Sequence, residues 1–242
     1  MIRETVAVVL SAVLCVGPSA LAAQDESDSV AYRALTQTPL DAFSPALGVA
    51  LTAHRGTGIA FHARYGLMSF RSRDFVHNFG VGADLPLAAG RLGITLGHYG
   101  PSCSGIECPG HFIASLEFEQ GILTAALGRQ DHGGSLNLGI NVGMGLGSPS
   151  DATLFAAAAS LPVTLVPRMG STRIFPFVAP GVGFGLVDGD AGFDAGMLPT
   201  LALGVGLLTL RDRLGVVAGI DRVFLTGGNW LAGVSMRWSL QP

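Results

Sequence analysis

From about residue 44 onward the chain is written in alternation. The clearest stretch runs from Leu136 to Leu146. Leu136, Leu138, Ile140, Val142, Met144 and Leu146 share one parity; Asn137, Gly139, Asn141, Gly143 and Gly145 share the other. Successive strand side chains point to opposite faces, so this is a strand with one wholly apolar face and one small or polar face. The pattern recurs along the chain. Phe61, Ala63 and Tyr65 oppose His62 and Arg64; Phe79, Val81 and Leu85 oppose Gly80, Gly82 and Asp84. Phe112, Leu116 and Phe118 oppose Ser115, Glu117 and Glu119, and Leu214, Val216 and Ile220 oppose Gly215, Gly219 and Asp221. The periodicity predicts strands near 46–54, 57–66, 76–86, 91–99, 111–119, 122–129, 135–146, 153–166, 173–187, 197–210, 213–224 and 229–240. That makes twelve, an even number as single-chain bacterial barrels require. Loop lengths object, because counting back from the C-terminus sets the long 100–110 connection at the short-turn end. A strand of the first half is then misassigned, and ten, the next even number down, is the second reading.

The last strand indicates what the apolar face meets. Trp230, Ala232, Val234, Met236, Trp238 and Leu240 share it, opposite Gly233, Ser235, Arg237 and Ser239. The two tryptophans stand about 26 Å apart along a strand, which a tilt of about 40° projects to roughly 20 Å, near the ~25 Å apolar band of a membrane barrel. Trp230 and Trp238 are thus candidates for an interfacial aromatic girdle. Composition points the same way. The chain is 49% hydrophobic, only 13% charged and holds 35 glycines in 242 residues, whereas soluble domains carry about 25% charged residues. Beyond the N-terminus no uncharged apolar run reaches the ~18–20 residues of a spanning helix. An apolar chain without membrane helices leaves the closed transmembrane β-barrel.

The N-terminus supplies an address. Arg3 precedes an apolar run from Val6 to Val16, Pro18 breaks it, and Ala20-Leu21-Ala22 offers a small-residue cleavage site. Residues 1–22 therefore read as a secretory signal peptide. Leu14 is too bulky before Cys15 for a lipoprotein site. Residues 23–43, with Asp25-Glu26-Ser27-Asp28, read as a periplasmic tail with a helical turn near Tyr32, and 44–242 as the barrel.

With this export signal, the run Pro176-Phe177-Val178-Ala179-Pro180-Gly181-Val182-Gly183-Phe184-Gly185 and the alternating last strand, the sequence resembles the small outer-membrane β-barrels of the OmpA/OmpW-like kind. The resemblance covers about residues 44–240. It implies an up-and-down antiparallel barrel of 10–12 strands in a Gram-negative outer membrane. It further implies contact with outer-membrane lipids and lipopolysaccharide, insertion by the barrel-assembly machinery, and a monomer. Of activity it implies nothing specific.

Candidate chemistry lies on the small, polar face. Arg64, Asp84, Glu117, Glu119, Asp221 and Arg237 fall there and are predicted to line the lumen. They are either a charged pore lining that sets selectivity or a salt-bridged filling. The glycines at 143, 145, 183, 185, 204 and 206 share the inner parity and favour space, so a narrow, porin-like pore or conduit for small or apolar solutes leads. A non-conducting structural, ligand-binding or adhesion-type barrel is the alternative, and a barrel lipid hydrolase the third. Cys103 and Cys108 sit in one Gly/Ser/Pro-rich loop of an exported chain, which predicts a disulfide. With His98 and His111 they also spell H-x4-C-x4-C-x2-H, a zinc spacing that an oxidising compartment disfavours. Three acids in Asp188-Gly-Asp-Ala-Gly-Phe-Asp194 read as an exposed acidic loop rather than a calcium loop. No G-x-S-x-G, H-x-S or H-E-x-x-H pattern is present, so no enzyme, cofactor or metal is expected. The formal charge of −3 argues against nucleic acid. Every basic residue is Arg, which suits phosphate groups or reflects GC-rich coding.

Overall fold

The computed structural model of the chain describes residues 33–35, 58–69, 75–88, 90–102, 110–128, 133–149, 152–167, 172–189, 192–209, 213–223 and 230–240. Its strands are β1 (Ala60–Ser69), β2 (Phe75–Leu87), β3 (Gly90–Ser102), β4 (His111–Leu127), β5 (Gly134–Gly147), β6 (Ala152–Ser160), β7 (Val163–Pro167), β8 (Arg173–Gly189), β9 (Gly192–Thr209), β10 (Leu214–Val223) and β11 (Trp230–Ser239). Neighbours in sequence pair antiparallel, and β1 pairs with β11, so the sheet closes. Short segments β6 and β7 occupy one position in the wall. Asn141 faces Ser160 and Leu138 faces Val163, one uninterrupted register, and β8 sees the same continuity. The architecture is a closed ten-stranded up-and-down barrel.

The interruption has a cause in proline chemistry. Pro162 and Pro180 lack the N–H that a ladder needs, and both fall at this junction. What remains is two bonds: the Gly139 amide donates to the Pro162 carbonyl at 2.9 Å and the Leu161 amide to the Pro180 carbonyl at 2.9 Å. Where the sequence reads one strand over 153–166, the structure has one position broken in the middle.

The twelve-strand reading fails at β4. The strands expected at 111–119 and 122–129 are one element, β4, which ends at Leu127 and carries a register shift between Gly121 and Leu123. One extra residue in a strand reverses the face of everything after it. Phe112, Ala114 and Leu116 therefore carry the outward parity on even numbers, and Leu123 and Leu127 on odd ones. Merging the two restores loop order. Both the 103–110 and the 148–151 connections lie at one end, here the rim, while 88–89, 128–133, 168–172 and 210–213 lie at the other, the base. The expected strand at 46–54 lies outside the described residues. The expected acidic loop is a tight hairpin: Asp188 faces Phe193 and Val187 faces Asp194 across the ladder, Asp188 and Asp194 are exposed, and the Ala195 amide donates to Asp194 Oδ1 at 2.8 Å.

Alternation sorts the wall into two faces. Phe61, Phe79, Leu96, Phe112, Leu146, Leu203 and Met236 point outward and are exposed, as are Trp230 and Trp238 at opposite ends of β11. Soluble monomers rarely expose contiguous apolar patches beyond a few hundred Å², whereas a membrane barrel carries such a belt against lipid. No helix among the described residues is long and apolar enough to cross a membrane.

The belt is testable at Leu96, which is 63% exposed in mid-strand. On a water-facing strand Leu96→Arg would shift stability by no more than about 0.5 kcal/mol. Facing lipid it costs about 2–4 kcal/mol, readable by urea titration of the folded band in phospholipid vesicles.

Candidate functional site

The inward parity brings β1, β2, β3, β4 and β11 together around a charged cluster in the base half of the lumen. Arg64 from β1, Arg91 from β3 and Arg237 from β11 meet Asp84 from β2 and Glu117 and Glu119 from β4, all buried. The three guanidinium groups and three carboxylates balance. Arg237 is the hub at 1% exposure. Its Nη2 donates to Glu119 Oε1 at 3.0 Å and its Nη1 to Glu119 Oε2 at 3.3 Å, a two-pronged fork. Its Nε stands 2.6 Å from Asp84 Oδ2 as an ion pair. Beside it Arg64 Nη1 pairs with Glu117 Oε1 at 3.1 Å, and Arg64 Nη2 donates to Ser115 Oγ at 3.4 Å.

A second arrangement runs through the cluster. Thr95 Oγ1 is 2.8 Å from His62 Nε2, and His62 Nδ1 is 3.2 Å from Asp84 Oδ1. Hydroxyl, imidazole and carboxylate in that order are the parts of a nucleophile, base and orienting acid. Thr95, however, is 2% exposed, and Asp84 shares its charge with Arg237. In this form the row binds three strands together and offers its hydroxyl no approach.

Of the residues expected in the lumen, Arg64, Asp84, Glu117, Glu119 and Arg237 converge. Asp221 also has inward parity but stands apart: it faces Leu231 and Ala202 in register, whereas Arg237 faces Gly215. Cys103 and Cys108 lie outside the described residues. Their flanking histidines diverge, His98 facing outward against the edge of Phe112 and His111 inward against Tyr99, with centroids 4.8 Å apart for the second pair. Among the described residues no group of acids, histidines and cysteines forms a metal site. Arg91, His62 and Thr95 complete the cluster unannounced, although their parity with Arg64 and Asp84 was there to be read.

The inward glycines do not leave open space where their surroundings are described. A Cβ at Gly206 would overlap the Phe175 ring, and one at Gly204 would stand 2.6 Å from Phe177. One at Gly80 would meet Arg64 Nε at 2.8 Å, and one at Gly183 would meet Leu35 at 2.6 Å. Each glycine makes room for a large neighbour lying flat against the wall. Opposite the charged cluster, Phe175, Phe177, Val166, Leu208 and Val217 form an apolar half-lining.

No family model and no curated protein matches the chain. Among solved structures it is similar to the attachment invasion locus protein Ail of Yersinia pestis, at 10% identity over 75% of this chain and 97% of that one, with a TM-score of 0.32. It is also similar to the transport unit of the autotransporter AIDA-I from Escherichia coli, at 8% identity over 90% and 99% with a TM-score of 0.46. A third is LpxR from Salmonella typhimurium, at 10% identity over 76% and 100% with a TM-score of 0.38.

Removing the hub tests the cluster. Arg237→Met leaves Asp84 and Glu119 buried without their main counter-charge and is expected to cost about 3–5 kcal/mol. Asp188→Asn, on an exposed hairpin outside the cluster, is expected to stay within about 0.5 kcal/mol. Urea unfolding of the reconstituted barrel, followed by heat-modifiable gel mobility, separates the two.

Proposed function

We propose that this chain is an outer-membrane β-barrel with a closed interior, a membrane-embedded scaffold that works through its surface and its rim loops rather than as an open pore. The carrying observation is Arg237, which holds Glu119 at 3.0 Å and Asp84 at 2.6 Å while only 1% exposed. Charges that set selectivity in a channel stand hydrated along a continuous water path. Here they neutralise one another, and the opposite wall is packed with Phe175 and Phe177. The export signal and the lipid-facing belt support an outer-membrane address, with the rim outward. Lipids and lipopolysaccharide are then the surroundings, the barrel-assembly machinery the route of insertion, and the monomer the working unit. Catalysis has no support in this reading, because the Thr95–His62–Asp84 row is sealed.

Planar-bilayer recording decides between scaffold and pore. The purified full chain is expected to give no discrete current steps in bilayers where an open porin conducts. Reproducible steps of one size, altered in ion selectivity by Glu117→Gln, would restore the narrow pore and end the scaffold reading.

A further inference from the structure

Toward the rim the interior is packed. Helical residues 33–35 lie inside it, Ala34 against Leu154 and Val187 and Leu35 against Met68, Tyr99 and Leu198. The helical turn expected in a periplasmic tail is thus part of the filling. Toward the base the charged cluster balances itself. Beside that cluster, where β5 meets the junction of β6 and β7, runs a stretch of inner wall whose oxygens are left over.

Register assembles this stretch. Asn137 faces Thr164 and Asn141 faces Ser160, with Gly139 and Pro162 between the two pairs. All six have the inward parity. Asn137 is 1%, Asn141 5% and Thr164 0% exposed. Among the described residues, Asn137 Oδ1, Asn141 Oδ1 and Thr164 Oγ1 have no hydrogen-bond partner. The nitrogen end of the Asn137 amide is engaged, donating to Ser135 Oγ at 3.3 Å. The backbone deepens the imbalance, because Pro162 and Pro180 bring carbonyls to the ladder but no N–H. Buried polar atoms are almost always paired. Three in one patch form a set that lacks a positive partner.

The donor atoms indicate which partner. Two amide carbonyl oxygens and a hydroxyl are hard, neutral ligands, suited to hard cations rather than soft metals. Divalent hard cations ordinarily draw carboxylates as well. The carboxylate next to the patch is Glu119, opposite Asn141 in register, and Arg237 holds both its oxygens. An alkali cation asks for less charge from its ligands and keeps part of its water.

We propose that the inner wall at the Pro162 junction is a binding site for an alkali cation of the Na⁺ or K⁺ type, held by Asn137 Oδ1, Thr164 Oγ1 and Asn141 Oδ1 with water completing its shell. The ion secures the wall where the prolines leave it short of donors. The site belongs to the wall, so it stands whether or not the barrel conducts, and its test does not read conductance.

That test compares stability between cations. The full chain, refolded in dodecyl maltoside micelles, is unfolded with urea in NaCl, KCl or choline chloride at one ionic strength. Heat-modifiable gel mobility reports the folded fraction. Screening follows ionic strength alone, whereas a ligand bound by the folded state stabilises in proportion to its occupancy. In at least one alkali salt, at ten times the dissociation constant, the folded-to-unfolded ratio is expected to rise about tenfold over choline. Equal ratios in all three salts overturn the proposal and leave water as the partner of these oxygens.

Two variants locate the ion. Asn137→Leu with Thr164→Val removes two of the three oxygens and is expected to abolish the difference between alkali salts and choline. Asn137→Asp turns a neutral ligand into a carboxylate and is expected to lower the cation concentration required about tenfold. This second variant decides the matter if the first does not fold. A difference that persists in the folded double variant, or an Asn137→Asp barrel with no gain in cation response, also overturns the site.

Discussion

A backbone amide facing hydrocarbon has no water to turn to, so each N–H and C=O of the wall must bond to a neighbouring strand. Strands β1 and β11 meet the last of that obligation, running antiparallel from Ala60 opposite Ser239 to Met68 opposite Leu231. Once the sheet is closed, every residue faces either lipid or lumen, and the strand period decides which. The composition follows from this. With the larger face turned to lipid, a chain can be 49% hydrophobic and 13% charged without being insoluble in its own surroundings. Charge is confined to the interior and the ends. Ions buried in the interior are stable only in each other's company.

Those buried ions tie distant parts of the chain together. Glu119 and Arg237 are 118 residues apart, and the Arg64–Glu117 pair spans 53. The cluster is therefore tertiary structure expressed as electrostatics. It fastens β4 to β1 and β11 through the lumen, as the backbone ladder fastens neighbours around the wall. Toward the rim shape matters as well, with Ala34 packed on Leu154 and Val187 and Leu35 on Met68, Tyr99 and Leu198. One barrel thus holds two kinds of interior, tied by charge at the base and filled toward the rim by residues of the chain that belong to no strand.

How much of this the sequence carried depended on contrast between faces. Leu136 to Leu146 and Trp230 to Leu240 alternate cleanly, so their outward residues could be assigned from spacing alone. Five of the cluster's charges were legible for the same reason. Strand β4 was not legible as one element, because the extra residue between Gly121 and Leu123 reverses the parity halfway along. In β8 both faces are apolar, Phe175 and Phe177 inside and Val178 and Phe184 outside, so alternation could not reveal that the inner face packs rather than opens. The break at Pro162 and Pro180 needs both strands in register before the prolines are seen to meet. The seat of Leu35 on Gly183 joins residues far apart in the chain, and no local pattern encodes it.

The trading of volume between neighbouring strands has a consequence for how this interior can change over generations. Gly206 is small because Phe175 is large, Gly80 because Arg64 crosses it, and Gly183 because Leu35 seats there. Enlarging any of these glycines alone produces a collision, and shrinking the partner alone leaves a hole. Only a double exchange, a larger residue on one strand matched by a smaller one on its partner, keeps the filling constant. Inheritance should therefore move such positions in couples, so that in a set of descendant sequences the inner wall would be recognised by matched pairs of variable sites rather than by single invariant ones.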